Sequence, residues 1–174
     1  PLTALALPHA VADVLPPSHA NPALLLGAES ASASPVLEQA RLRAADEQLP
    51  YAGSVLPHDA WALFQSGEAI LVDVRTAEER KFVGHVPDTR HVAWMTGLSL
   101  SRNPLFVKEL EAKAGKDEVI LLLCRSGKRS AAAAEAASKA GFRNVFNILE
   151  GFEGDLDEQQ RRGAFNGWRQ AGLP

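Results

Sequence analysis

Short unbroken apolar runs alternate with stretches of helical period along most of this chain. The runs are Ala69 to Val74, Val119 to Leu123 and Asn144 to Ile148, with a shorter one at His91-Val92-Ala93. Their length and β-branched content predict strands buried on both faces. Between them the pattern predicts helices. Val36 to Leu49 carries Val36-Leu37, Ala40 and Ala44-Ala45 along one stripe, with Pro35 at its start. Pro57 to Ser66 has Pro57 in its first turn, Asp59 complementing the dipole and Gly67 as a stop. Thr76-Ala77-Glu78-Glu79 is a capping box that opens a short helix ending near Gly84. Asn103-Pro104 begins a helix through Ala114 that Gly115 closes, and an Ala-rich helix runs from Ala131 to Ala140. Strands in alternation with helices predict an α/β fold: a parallel sheet with helices on both faces. Ligands of such sheets bind at the carboxyl ends of the strands.

Residues 1–34 differ from the rest. Asp13 and Glu29 are their only charges, prolines recur at 8, 16, 17 and 22, and Ser30-Ala31-Ser32-Ala33-Ser34 is a small-residue tract. This composition predicts an extension or linker, with enough leucine and valine to dock on a protein partner or a second copy of the chain. The division expected is an N-terminal extension, 1–50, and a domain, 51–174. A chain of 174 residues with 46% hydrophobic content supports one such domain. A net charge of −3 gives no basis for a nucleic-acid partner. No apolar run approaches the ~20 residues that span a bilayer. Pro1 to Leu7 is apolar but has no cationic segment before it, so it does not read as a signal peptide, and cytoplasm is the default expectation.

The single cysteine changes the picture most. One thiol excludes an internal disulfide framework. Cys124 follows Val119-Ile120-Leu121-Leu122-Leu123 directly and opens the loop Cys124-Arg125-Ser126-Gly127-Lys128-Arg129-Ser130. A free cysteine after a buried strand is most often a small core residue. Here three cations, Arg125, Lys128 and Arg129, fall within five positions of it. Gly127 permits a tight turn with inward amides, and a helix beginning near Ser130 adds its positive end. Each feature favours thiolate over thiol. The same cradle suits a persulfide anion. Cysteine-dependent phosphatases close Cys-x5-Arg around phosphate, whereas this loop is Cys-x4-Arg with Ser130 at the next position. The shorter ring is matched to a single sulfur atom.

These residues resemble the rhodanese-like (sulfurtransferase) domain. The active-site loop is Cys124 to Ser130. Asp73-Val74-Arg75, Glu78-Glu79 and Gly84-His85-Val86-Pro87 resemble the family's upstream signature, and Asn144-Val145 with Leu149-Glu150-Gly151-Phe152 its last strand and turn. The tail from Gly154 to Pro174 is similar to that of small bacterial single-domain members. The likeness covers about Tyr51 to Pro174. It implies a central five-stranded parallel sheet and a thiosulfate sulfurtransferase that works without metal or organic cofactor. Cys124 would take sulfane sulfur from a small anionic donor such as thiosulfate and pass it, as a persulfide, to cyanide or a thiol. Amides of residues 125 to 129, with Ser126 and Gly127 among them, would hold the persulfide charge. Arg125 and Lys128 would rim the pocket and draw in the donor, and Arg129 would brace the loop. Two departures stand out: Asp88-Thr89 replaces the usual Gly-Ala, and Arg80 stands where an aromatic is common.

Other residues admit two readings. Asp73 and Arg75 either orient the site from behind, or Arg75 pairs with Glu79 to stabilise the capping turn; the second is favoured. His85 and His91 fit no metal spacing and read as structural. Asp155, Asp157 and Glu158 read as a solvated turn. Trp94 is the tryptophan expected at the pocket rim. Two functional alternatives remain: a sulfur-carrier module serving a protein partner, and a phosphatase or arsenate reductase on the same scaffold.

Overall fold

The computed structural model of the protein describes residues 34–174, so the reading of residues 1–33 as an extension lies outside the described residues. Helix α1 (Pro35–Glu47) leads into β1 (Gly53–Val55), α2 (Pro57–Gln65), β2 (Ile70–Asp73), α3 (Ala77–Phe82) and β3 (Arg90–His91). A hairpin of β4 (Met95–Thr96) and β5 (Ser101–Arg102) precedes α4 (Phe106–Lys113), β6 (Ile120–Leu123), α5 (Lys128–Lys139) and β7 (Val145–Ile148). The main sheet has five strands in the order β1-β7-β6-β2-β3, and every pairing in it is parallel. The α/β sheet predicted from alternating runs is thus the fold observed.

Strand β6 is apolar at every position because both of its faces are buried. Ile120 and Leu122 belong to one buried cluster, with Phe106 and Leu110 of α4 and Ala133, Ala134 and Ala137 of α5. Leu121 and Leu123 alternate to the other face, against Leu63 of α2, Phe146 and Trp168. Neither face meets solvent, so no polar residue interrupts the strand. The small alanines let α5 lie close on the sheet, and Cys124 continues the Ile120–Leu122 face into the first cluster.

The topology also fixes where a ligand can sit. From β2 the chain moves outward to β3, whereas from β6 it moves the opposite way to β7. The connections after β2 and β6 therefore diverge and leave a crevice at the strands' carboxyl ends. Those ends are level, because Asp73 lies beside Leu123 in the register. The Val74 amide then donates to the Leu123 carbonyl at 2.8 Å, carrying the alignment one residue further.

Three features depart from the sequence expectations. Helix α5 begins at Lys128, ahead of the Ala-rich stretch, because Gly127 at φ 97° turns the chain directly into it. Strand β1 and the β4–β5 hairpin were not marked, since two to three residues carry no readable period. Finally, the helix assigned to the extension is part of the core. Leu37, Ala40 and Ala44 of α1 are buried, and Leu37 and Ala40 share a cluster with Val55, Phe146 and Ile148. A boundary at residue 50 does not separate this helix from the sheet.

That contact depends on Gly53 having no side chain. A Cβ there would stand 2.7 Å from the Ala40 carbonyl oxygen, which is helix backbone and has no rotamer to adopt. Gly53→Ala is expected to lower stability by roughly 1–3 kcal/mol, as overpacking does. Thermal unfolding checks this; an unchanged midpoint means that α1 rests loosely on β1.

Candidate active site

Cys124 lies at the end of β6, 1% exposed, where the chain leaves the sheet. The Gly127 amide donates to Sγ at 3.0 Å, and the Ser130 hydroxyl lies 3.1 Å from it on the other side. The amide reaches the sulfur because Gly127 takes a left-handed conformation that folds the loop back over its own start. Both readings of Cys124 thus meet in one residue: packed as a core side chain, and held by polar groups at its sulfur. Among the described residues, Gly127 supplies the only backbone amide bonded to the sulfur, fewer than the ring of amides from 125 to 129 expected.

The loop is held by its carbonyls. Phe152 donates its amide to the Cys124 carbonyl at 2.8 Å, and Glu153 and Gly154 donate theirs to the Arg125 carbonyl at 2.9 and 3.2 Å. The turn after β7 therefore satisfies the first two loop carbonyls, while the Gly127 amide faces the sulfur. Gly151 makes this possible. At φ 68° a Cβ on it would lie 2.5 Å from the Arg125 carbonyl carbon and the Ser126 nitrogen. No side chain fits between the two backbones.

Arg129 was expected to brace the loop, and the structure pairs it with Glu79. Its Nη1 and Nη2 donate to Glu79 Oε1 and Oε2 at 2.7 and 2.8 Å, a fork-on-fork pair that ties α5 to α3. Burial pushes the Glu79 carboxyl up, but the hydrogen bonds and charge of Arg129 and the bonds from Thr76 outweigh it and hold it near pH 2, from an ordinary 4.5. The hydrogen bonds to Glu79 raise Arg129 against the opposing pull of burial, helped by the charge of Glu79 and, more weakly, by that of Asp73. Thr76 and Glu79 also complete the predicted capping box.

This corrects the reading of Arg75. It does not pair with Glu79, which Arg129 occupies. Arg75 turns back on Asp73 instead, with Nη2 2.8 Å from Oδ2 and both side chains 0% exposed. The same guanidinium donates to the Gly84 carbonyl at 2.9 Å and stacks over the Phe152 ring, 4.2 Å from its centroid. Asp73 and Arg75 support the site from behind. Arg80, the departure from the aromatic, adds a second guanidinium on Asp73 Oδ2 at 2.9 Å and bonds Thr89, the other departure.

The remaining candidates sort by position. Arg125 lines a cleft of about 320 Å³ beside the loop, with Arg129, Glu79, Glu153, Leu98 and Arg162. Its Nε is buried and has no hydrogen-bond partner among the described residues. Lys128 is exposed and Ser126 half-buried, and neither bonds the sulfur. Trp94 is not at the rim: it is 4% exposed and packs edge-on against Phe106, 5.0 Å between centroids. His91 is structural, its Nε2 2.7 Å from the Arg75 carbonyl. Asp157 accepts the amides of Gln159 and Arg161, so the acidic segment is a capped turn. Among the described residues no group of three or more His, Cys, Asp or Glu could hold a metal ion.

Sequence reasoning assigned no role to Ser130 beyond not being arginine, and none to Asn147. The signal for Asn147 was present: it is the one polar residue within Val145-Phe146-Asn147-Ile148, a strand buried on both faces.

A cysteine at the carboxyl end of a central parallel strand, capped by a loop amide and a helix start, defines a thiol-based α/β domain. Residues 56–158 match the Rhodanese-like domain family, and the chain belongs to it. The chain is 42% identical to Rv0390 from M. tuberculosis, whose crystal structure superposes with a TM-score of 0.64 over 71% of this chain and 96% of that one. An uncharacterised protein of Rickettsia prowazekii is 38% identical over 116 residues, 64% of this chain and 86% of its own length. More distantly, the thiosulfate sulfurtransferase GlpE of Actinobacillus pleuropneumoniae is 27% identical over 120 residues, 69% of this chain and 89% of GlpE.

Two outcomes are expected here. Gly151→Ala forces the loop away from its anchoring turn and is expected to reduce thiol chemistry on the order of 10²-fold, the scale of a displacement near 1 Å; the rate of Cys124 alkylation reads it. The Glu79–Arg129 pair gives a pH signature. Because Glu79 is depressed on folding, its contribution is present above its ordinary 4.5 and is lost as pH falls through about 2. Glu79→Gln is therefore expected to lower the melting temperature at neutral pH, with the gap to the parent closing between those values. A gap independent of pH would mean that the pair's charge does not matter.

Proposed function

We propose that the protein is a sulfurtransferase that carries sulfane sulfur on Cys124. The supporting observation is the Gly127 amide 3.0 Å from Sγ, in a loop whose Cys124, Arg125 and Gly127 carbonyls are bonded to other partners. In the first half-reaction the Cys124 thiolate attacks the outer sulfur of thiosulfate. The S–S bond of the donor breaks, sulfite leaves with the bonding pair, and Cys124–S–S⁻ remains. In the second, cyanide or a thiolate takes the outer sulfur, and the Cys124 thiolate is regenerated. The amide and the start of α5 stabilise the anion at each stage. Arg125, whose Nε has no partner among the described residues, is the cation placed to meet an anionic donor. Position 130 holds serine, so no loop guanidinium clasps a phosphate there, which weighs against a phosphatase.

The cleft favours a second reading of the acceptor. At about 320 Å³ it exceeds what thiosulfate needs, and Glu79 and Glu153 offset Arg129 and Arg125 along its wall. Leu98, 90% exposed, adds apolar surface at its edge. An organic or protein-borne thiol suits this wall better than a small dianion does.

Intact mass decides the matter. Thiosulfate is expected to add one sulfur to the reduced parent protein and none to Cys124→Ala, and cyanide to remove it as thiocyanate. A parent protein that stays unmodified with thiosulfate, but gains sulfur from an organic persulfide, would favour the carrier reading. One that gains sulfur from neither would sink the proposal.

A further inference from the structure

The sulfur of Cys124 closes a buried ring of hydrogen bonds whose proton count can be worked out. Asn147 Nδ2 donates to the Gly127 carbonyl at 3.1 Å, and a carbonyl can only accept. The other amide atom is therefore the oxygen, Oδ1, which must accept from Ser130 Oγ beside it. Ser130 has one proton, and it is committed to Asn147. Toward Cys124 Sγ, 3.1 Å away, the hydroxyl can offer only a lone pair. The Gly127 amide donates to the same sulfur and completes the ring. Cys124, Ser130 and Asn147 are 1%, 0% and 3% exposed, so no water takes over any of these bonds. The ring is consistent only with a protonated sulfur donating to Ser130.

Ionisation breaks that consistency. When the Cys124 proton leaves to solvent, Sγ and Ser130 Oγ face each other as two acceptors. The hydroxyl must turn from Asn147 to the sulfur, leaving Asn147 Oδ1 buried without a donor. We propose that Ser130 and Asn147 form a hydroxyl switch: Ser130 is the side-chain donor to the thiolate, and Asn147 a positioning residue that pulls the hydroxyl back and favours the resting thiol. This rests on the reading of Cys124 as the nucleophile and assigns roles to two residues behind it.

The consequence is a pair of effects with opposite sign. Ser130→Ala removes the thiolate's donor, so the pH dependence of alkylation at Cys124 moves upward by about one unit, or roughly tenfold slower alkylation at neutral pH. Asn147→Ala removes the competitor for the hydroxyl, so the profile moves downward. The charged groups facing the loop are the same in both variants. They are Arg125 and Lys128 of the loop, Arg129 with Glu79 from α3, Glu78 and Arg80 also from α3, Asp73 and Arg75 at the end of β2, and Glu150, Glu153 and Arg162 beyond β7. A general loosening of the site would move both profiles the same way.

The experiment is the rate of iodoacetamide alkylation against pH, which reads one site because the chain has one cysteine. Parent, Ser130→Ala, Ser130→Thr and Asn147→Ala are compared. An upward shift in Ser130→Ala, recovery in Ser130→Thr and a downward shift in Asn147→Ala support the switch. Shifts of the same sign, or an unmoved Ser130→Ala, overturn it. Should Asn147→Ala fail to fold, the two Ser130 variants still decide, since each differs from the parent by one small group. The readout needs no sulfur donor. Opposite shifts in a protein that gains no sulfur would keep the switch and reject the transferase.

Discussion

Arg75 carries a full charge with none of its surface in water, and the active-site loop depends on how that charge is accommodated. A buried guanidinium is tolerable only with a carboxylate and further acceptors around it. Asp73 supplies the carboxylate, Gly84 a carbonyl and Phe152 the face of its ring. Those three come from the end of β2, the segment after α3 and the turn after β7. One side chain therefore fixes three pieces of chain that sequence keeps far apart. Phe152 then passes the constraint on, because its amide holds the Cys124 carbonyl. Losing either member of a buried pair typically costs about 3–5 kcal/mol, more than any single contact at the sulfur itself. The loop that carries Cys124 is positioned by a charge buried behind it.

The loop shows the complementary economy of means. A thiolate or persulfide needs donors aimed at one atom, and backbone amides are the least mobile donors available. To present them, the loop must turn its carbonyls away and find acceptor partners elsewhere. The turn of Gly151 to Gly154 provides those partners, at a separation that excludes even a methyl group. Arg129 then acts as a brace rather than as a ligand, its charge matched by Glu79 on α3. Of the loop's three cations, one is therefore neutralised, one is exposed and one lines the cleft.

How much of this the sequence discloses follows from the range of each interaction. The central strands were legible because a strand buried on both faces must be apolar throughout, as Ile120 to Leu123 are. Cys124 was legible because strand, thiol, glycine and cations are contiguous. The capping box at Thr76 and Glu79 was legible for the same reason, being local. The partner of Arg129 was not: Glu79 lies 50 residues away, and its local role in the box concealed its distant one. Arg75 was misassigned by the opposite error: its pairing with Asp73 was weighed, but the nearby Glu79 of the capping turn was preferred. Strand β1 escaped because three residues carry no period, yet Gly53 within it governs the seating of α1.

Ser130 and Asn147 illustrate a further limit. Neither residue is chemically reactive, so a search for nucleophiles, bases and ligands passes over both. Their meaning lies in a proton count, which needs the identity of each atom and the direction of each bond around a closed ring. The Gly127 carbonyl is the element that settles it, by admitting only the nitrogen of Asn147. From that one assignment the hydroxyl's donor role follows, and from the hydroxyl the state of the sulfur. A thiol site is usually judged by the cations near it. Here those cations are paired, exposed or at the cleft wall, while the groups in contact with the sulfur are neutral. Control of the thiol at this site therefore belongs to a competition between two acceptors for one proton.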